Sequence, residues 1–228
     1  MSGPGNASGA TQRRAPGVLW HDEMYAAYPE LRNVDIDARY NTQLRSPKGD
    51  FVEGLGGVGG RPQISVQSNS LIGDPRSVRG ITLHEMQHGV QSAEDFARGG
   101  NPYSVFGHSD PVVRDAVAAE MDKLLRTLSP DEYSAQLRAS WPDVTDAELA
   151  KSYQEYLKAN RRARSNVYDP AAKAAQETAS MNVYKRMAGE VEARNVQKRM
   201  NMSADQRKAT PPWMTEDVPL DQQIVRFR

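Results

Sequence analysis

Cysteine is absent from this 228-residue chain. Without thiols there is no disulfide framework, no thiolate zinc finger, no iron–sulfur cluster and no cysteine nucleophile. Strong metal ligands are therefore confined to His, Asp and Glu, and histidine is itself scarce, at 4 residues. A net charge of either sign is also missing. The 29 Lys and Arg balance 29 Asp and Glu, which argues against a nucleic-acid coat, since contacts to phosphate call for a basic excess. No specific nucleic-acid partner is expected. No stretch approaches the roughly 18 apolar residues of a membrane span, and the opening MSGPGNASGATQRRAPG lacks the apolar segment of a secretory signal. Neither membrane association nor signal-directed secretion is expected. Aromatic residues make up only 7%, yet 38% hydrophobic residues still suffice for a core.

What is present reads as an α+β protein. Residues 1–17, rich in Gly, Ser and Pro, are expected to form a disordered leader, with a single domain over 18–228. In VLWHDEMYAAYPEL, Leu19, Met24, Tyr25 and Tyr28 recur at helical spacing until Pro29. Val34, Ile36 and Ala38 alternate with Asp35, Asp37 and Arg39, as in a half-buried strand. FVEGLGGVGGRP holds Gly54, Gly56, Gly57, Gly59 and Gly60 but no following Gly-Lys-Ser/Thr, so it reads as a hairpin connection rather than a phosphate loop. Ile64 and Val66 mark the strand after it. Asp74-Pro75 looks like the start of a helix that runs to the RGGNP at 98–102. A polar, helical insertion over about 103–175 includes a helix from Asp143 to Leu157, followed by Arg161, Arg162 and Arg164 as a solvated helix end. One further helix is predicted over 176–200, then a Pro-rich tail over 209–228 that ends in a short apolar strand-like piece.

The chemistry concentrates in His84-Glu85-Met86-Gln87-His88. Residues four apart share a helix face, so both imidazoles can reach one Zn²⁺, while Glu85, rotated about 100° around the axis, can act on water beside the ion without ligating it. With 4 His and 13 Glu in the chain, shuffling would produce H-E-x-x-H by accident in roughly 0.3% of cases. Leu83, Met86 and Val90 form a core stripe that leaves the histidines on a neighbouring face, and Gly89 is expected to keep that region uncrowded.

A catalytic zinc keeps three protein ligands and an open position. Glu94 lies six residues beyond His88, about 9 Å along an unbroken helix and out of reach. The 176–200 helix offers Glu190 and Glu192 beside Gly189, and helical phase does not separate the two.

An HExxH helix followed by a glutamate-bearing helix resembles the gluzincin layout of zinc metallopeptidases, a zincin-like fold with a small mixed or antiparallel sheet packed on the active-site helix. In several such families the first Glu of an E-x-x-A-D or E-x-E-A-N pattern is the ligand. Glu190-Val191-Glu192-Ala193-Arg194-Asn195 matches with Glu190 first, and Arg194 stands where an acidic or amide residue is usual. A fuller likeness rests on AAYPELRNVDI, LHEMQHGVQSAEDFARGGNP, AGEVEARNVQKRM and TEDVPLDQQIV. These segments resemble the metallopeptidase domain associated with large polyvalent proteins of phages and mobile elements. The resemblance implies Glu190 as third ligand with Glu192 the alternative, Zn²⁺ as cofactor, and a protein or peptide substrate of phage or host. It also implies a location in the bacterial cytoplasm or the virion, and a chain that can be one module of a larger protein.

The expected reaction is peptide hydrolysis, with Glu85 carrying the proton from water to the leaving amine. Tyr184, His108 and Arg194 are candidate oxyanion donors, although Tyr184 also fits an apolar stripe with Met181, Ala188 and Val191. Two non-catalytic readings compete: a zinc protein of structural or virion type, and a helical interaction module. The strand over 62–72 is a candidate sheet edge for an extended peptide, and the tail after Thr210 a candidate occupant of the cleft.

Overall fold

The computed structural model describes residues 13–40, 48–52, 60–69, 74, 76–96, 100, 105 and 110–225. The chain is an α+β protein with a small mixed sheet and mostly helical content, divided into two compact units. The first comprises Met1–Gly99 and Arg186–Arg228, the second Gly100–Lys185.

In the first unit, β1 (Arg13–Arg14), β2 (Asp35–Tyr40), β3 (Lys48–Val52) and β4 (Gln63–Ser68) form one sheet in the order β1-β2-β4-β3. β2 and β4 run parallel with Ile36 opposite Ile64, whereas β3 is antiparallel to β4 with Gly49 opposite Val66. The alternation read from the sequence is realised: Ile36, Ile64 and Val66 are buried on one face. The Gly-rich stretch joins the antiparallel pair β3 and β4, as expected of a hairpin connection; its residues 53–59 lie outside the described residues. One expectation changes. β4 is interior, flanked by β2 and β3, so the edge strands of this sheet are β1 and β3 rather than the 62–72 segment.

The leader is shorter than predicted. Arg13 and Arg14 pair with β2, and Ala15 is fully buried, its N–H donating to the Val34 carbonyl at 2.9 Å. A methyl is small enough to enter the core there, which a composition-based reading of a Gly/Ser/Pro tract overlooks. Residues 1–12 lie outside the described residues. The first predicted helix, α1 (Asp22–Ala27), ends before Pro29 as expected, and a 3₁₀ turn (Pro29–Asn33) follows it.

α2 (Val78–Ala93) packs across the sheet. Its N-cap is Ser77, whose hydroxyl accepts the Gly80 N–H at 3.2 Å. Asp74 instead accepts the Arg76 N–H at 2.7 Å in a local turn, so the chain is not yet helical at the Asp-Pro signal. The helix stops at Glu94, before Asp95 adopts a φ of 53°. Leu83, Met86 and Val90 join Tyr25, Leu31, Ile36, Ile64 and Val66 in one buried cluster, and full burial of a side chain such as Met86 contributes about 1.5–3 kcal/mol. Gly89 does not face the histidines. A Cβ there would stand 2.9 Å from a Leu31 methyl, so this glycine lets the core close on the helix.

The predicted 176–200 helix is two helices, α6 (Pro170–Arg186) and α7 (Ala188–Arg199). Met187 between them is extended and bridges in parallel to Ile224. The Ala188 N–H donates to the Ile224 carbonyl at 2.9 Å, and the Ile224 N–H to the Arg186 carbonyl at 2.7 Å. A helix start is thereby satisfied by a strand arriving from the C-terminus, a contact beyond the reach of local periodicity. After α8 (Ala204–Ala209) the tail returns along α7. Asn195 Nδ2 donates to the Pro212 carbonyl and Thr215 Oγ1 to Asn195 Oδ1, while Arg199 donates to the Thr210 carbonyl and Thr215 Oγ1.

The second unit contains α3 (Pro111–Leu124), α4 (Pro130–Ser140), α5 (Asp146–Ser165) and α6. Ser129 and Glu132, and Thr145 and Glu148, form reciprocal capping boxes that start α4 and α5. Tyr133, Tyr153 and Tyr156 stack with centroids 4.9–5.9 Å apart, and the Tyr156 hydroxyl anchors the loop between α3 and α4 through Leu128 N–H and the Arg126 carbonyl. α5 is longer than the predicted 143–157 helix and takes in Arg161, Arg162 and Arg164.

Candidate metal centre

One turn of α2 aims His84 and His88 the same way, with ring centroids 5.0 Å apart and planes at 85°. Glu190, in the first turn of α7, meets them. Its Oε2 stands 3.4 Å from His84 Nε2 and its Oε1 3.4 Å from His88 Nε2. One donor atom from each of the three residues can be chosen so that all lie within 4.8 Å of one another. Bonds of about 2.0–2.2 Å to a tetrahedral ion imply ligand–ligand edges of about 3.3–3.6 Å, and both imidazole–carboxylate distances fall in that range. His84 Nδ1 is buried without a hydrogen-bond partner among the described residues.

The electrostatics fit a cation. Glu190 is 1% exposed, and a buried carboxylate costs several kcal/mol unless a positive charge or hydrogen bonds compensate it. Burial, the dominant influence, holds the His88 imidazole below its ordinary range, with the Glu190 charge opposing it. The ring is therefore in the neutral form that ligates metals. Zn²⁺ suits two nitrogens and one oxygen, and a group of three leaves a position open.

Glu85 points to the β3 side. Burial pushes its carboxyl up to about 7; His84 opposes the shift, whereas the negative charges of Glu190 and Asp50 add to it. β3 comes so near that a Cβ on Gly49 would stand 2.2 Å from Glu85 Oε1 and 2.5 Å from Ile81 Cγ2. Only glycine allows this approach. Gly49 and Asp50 were missed by the sequence reading, because β3 is short and carries no strong alternation.

The remaining candidates separate. Glu192 is not among the clustered ligand atoms; its Oε2 accepts from Gln91 Nε2 at 2.8 Å, and it lines a groove of 970 Å³ together with Trp20, Arg79, Gln87 and Arg207. Glu94 accepts a hydrogen bond from the Tyr28 hydroxyl at the far end of α2. Arg194 binds Asp217 in a fork, at 2.7 and 3.0 Å, which commits its guanidinium to the tail rather than to an oxyanion. Tyr184 lies on α6, in the second unit, and the break at Met187 divides its proposed stripe from Ala188 and Val191. His108 lies outside the described residues. The tail lies along α7 through Asn195 and Arg199. No family model, curated protein or solved structure matches the chain.

Proposed function

We propose that this chain is a zinc-dependent metallopeptidase of zincin-like fold and gluzincin-like ligand set, acting on phage or host proteins. The observation that carries the reading is the convergence of His84, His88 and Glu190 from two helices, with Glu85 buried on the neighbouring face of α2. His84 and His88 supply neutral nitrogens and Glu190 one negative oxygen. When bound, a zinc ion in such a set acidifies water and polarises a carbonyl. Glu85 accepts a proton from water and returns it to the leaving amine, and its raised pKa places that exchange near neutral pH. Gly49 and Ile81 fix the direction from which Glu85 approaches. The resemblance to domains of polyvalent phage proteins supports a location in the bacterial cytoplasm or the virion. No helix among the described residues is long and apolar enough to cross a membrane.

A structural zinc joining α2 and α7 is the second reading, favoured by the burial of Glu190. Structural sites, however, are closed by four protein ligands, and the group found among the described residues has three. Glu85→Gln separates the two readings. One equivalent of zinc should remain by mass spectrometry while cleavage of unfolded casein falls by about 10²–10⁴-fold. Undiminished cleavage would remove Glu85 as the base, and absence of zinc from the wild-type chain would remove both readings.

A further inference from the structure

Gln91 is 1% exposed and makes three polar contacts. Its Nε2 donates to the Gly189 carbonyl and to Glu192 Oε2, each at 2.8 Å, and its Oε1 stands 2.9 Å from His88 Nδ1. A primary amide has two N–H bonds, and both are directed at oxygens of α7. Turning the amide over would set its oxygen against a peptide carbonyl and an ionised carboxylate, neither of which can donate. The orientation is therefore dictated by chemistry. With Oε1 turned towards the ring, His88 Nδ1 has to be the protonated nitrogen. A neutral imidazole carries one such proton, so Nε2 keeps its lone pair and presents it towards Glu190 Oε1, 3.4 Å away.

We propose that Gln91 is a positioning residue that sets the tautomer of His88 and ties the two ligand-bearing helices together. Two lone pairs facing each other at 3.4 Å repel unless a cation or proton lies between them, so the latch prepares the site for a divalent ion. Zincins that take their third ligand six residues beyond the second His, unlike the gluzincin layout, break this helix with a glycine at the third residue after that His. Here the same place holds a side chain long enough to span from α2 to α7. The helix then continues through this position, and the third ligand is brought in by hydrogen bonds to Gly189 and Glu192, the immediate and next-nearest neighbours of Glu190. The assignment rests on the metal reading of the site but not on peptidase activity.

The test uses the full chain loaded with zinc. In the imidazole ¹H–¹⁵N NMR spectrum, His88 Nδ1–H should exchange slowly with solvent in the wild type and rapidly in Gln91→Met, and zinc affinity should fall by about 10–100-fold. The exchanged pair Gln91→Glu with Glu192→Gln restores an acceptor for Nδ1–H and one hydrogen bond to α7 while giving up the bond to the Gly189 carbonyl, and should recover part of that loss. A merely space-filling role would give no such recovery. Unchanged zinc affinity and an unchanged His88 proton in Gln91→Met would overturn the proposal. If Gln91→Met does not fold, the metal-free wild-type spectrum at pH 8 decides: a proton on Nδ1 supports the assignment and one on Nε2 overturns it. A wild type that binds no zinc refutes the metal reading, and the same metal-free spectrum then judges the tautomer separately.

Discussion

Gly49 and Glu85 form a pair in which one residue's missing side chain makes room for the other's. An added methyl would overlap Glu85 Oε1 at 2.2 Å, and the carboxylate must then move by an ångström or more. Gly49→Ala is expected to cost about 1–3 kcal/mol through overpacking. It should leave zinc stoichiometry at one while lowering kcat by about 10²-fold, the usual penalty for misplacing a reacting group by that distance. Normal turnover by Gly49→Ala would mean that Glu85 does not act from this position. The histidines and Glu85 could be assigned from spacing alone because one helical turn fixes their geometry. Gly49 could not, since its importance arises from a strand that is far away in sequence.

At the scale of elements, α7 is held at both ends. Its first turn, which carries Glu190, is capped by the Ile224 backbone, and its last turns bind the tail through Asn195, Lys198 and Arg199. The tail therefore straps the helix that carries Glu190. A chain ending at Met202 is expected to be less stable, by about 1 kcal/mol for each buried hydrogen bond removed. It should also bind zinc more weakly in titration, because the N-terminus of α7 loses its cap. An unaltered melting temperature with full zinc affinity would refute the strap, and raised activity would favour the inhibitory tail instead. The sequence suggested one continuous helix over 176–200 because no Pro or paired Gly interrupts it. Its break at Met187 is produced by pairing with Ile224, 37 positions away.

For the whole molecule, the clustered His84, His88 and Glu190, and Glu85 beside them, belong to the first unit. Ligand binding stabilises only the unit that contains the site. Zinc at about 100 times its Kd contributes about 2.7 kcal/mol, which for a unit of this size raises Tm by about 8 °C. Differential scanning calorimetry with zinc and with EDTA should show the transition of the first unit shifting by that amount and the transition of the second staying in place. Equal shifts in both would show that the two units unfold together.

The α+β class, the core stripe of α2, the strands around Ile36 and Ile64, and the triad of His84, Glu85 and His88 were all determined by local pattern, because helix and strand periods put those side chains on defined faces. Other features were decided only by tertiary structure: the placement of Glu190 rather than Glu192 beside the two imidazoles, the nearness of Gly49, the contacts of Gln91 and the interruption at Met187. The physical reason is common to all four. Each depends on which distant backbone comes within a few ångströms, and a helical phase that leaves two acids equally placed cannot distinguish them until the second helix is packed against the first.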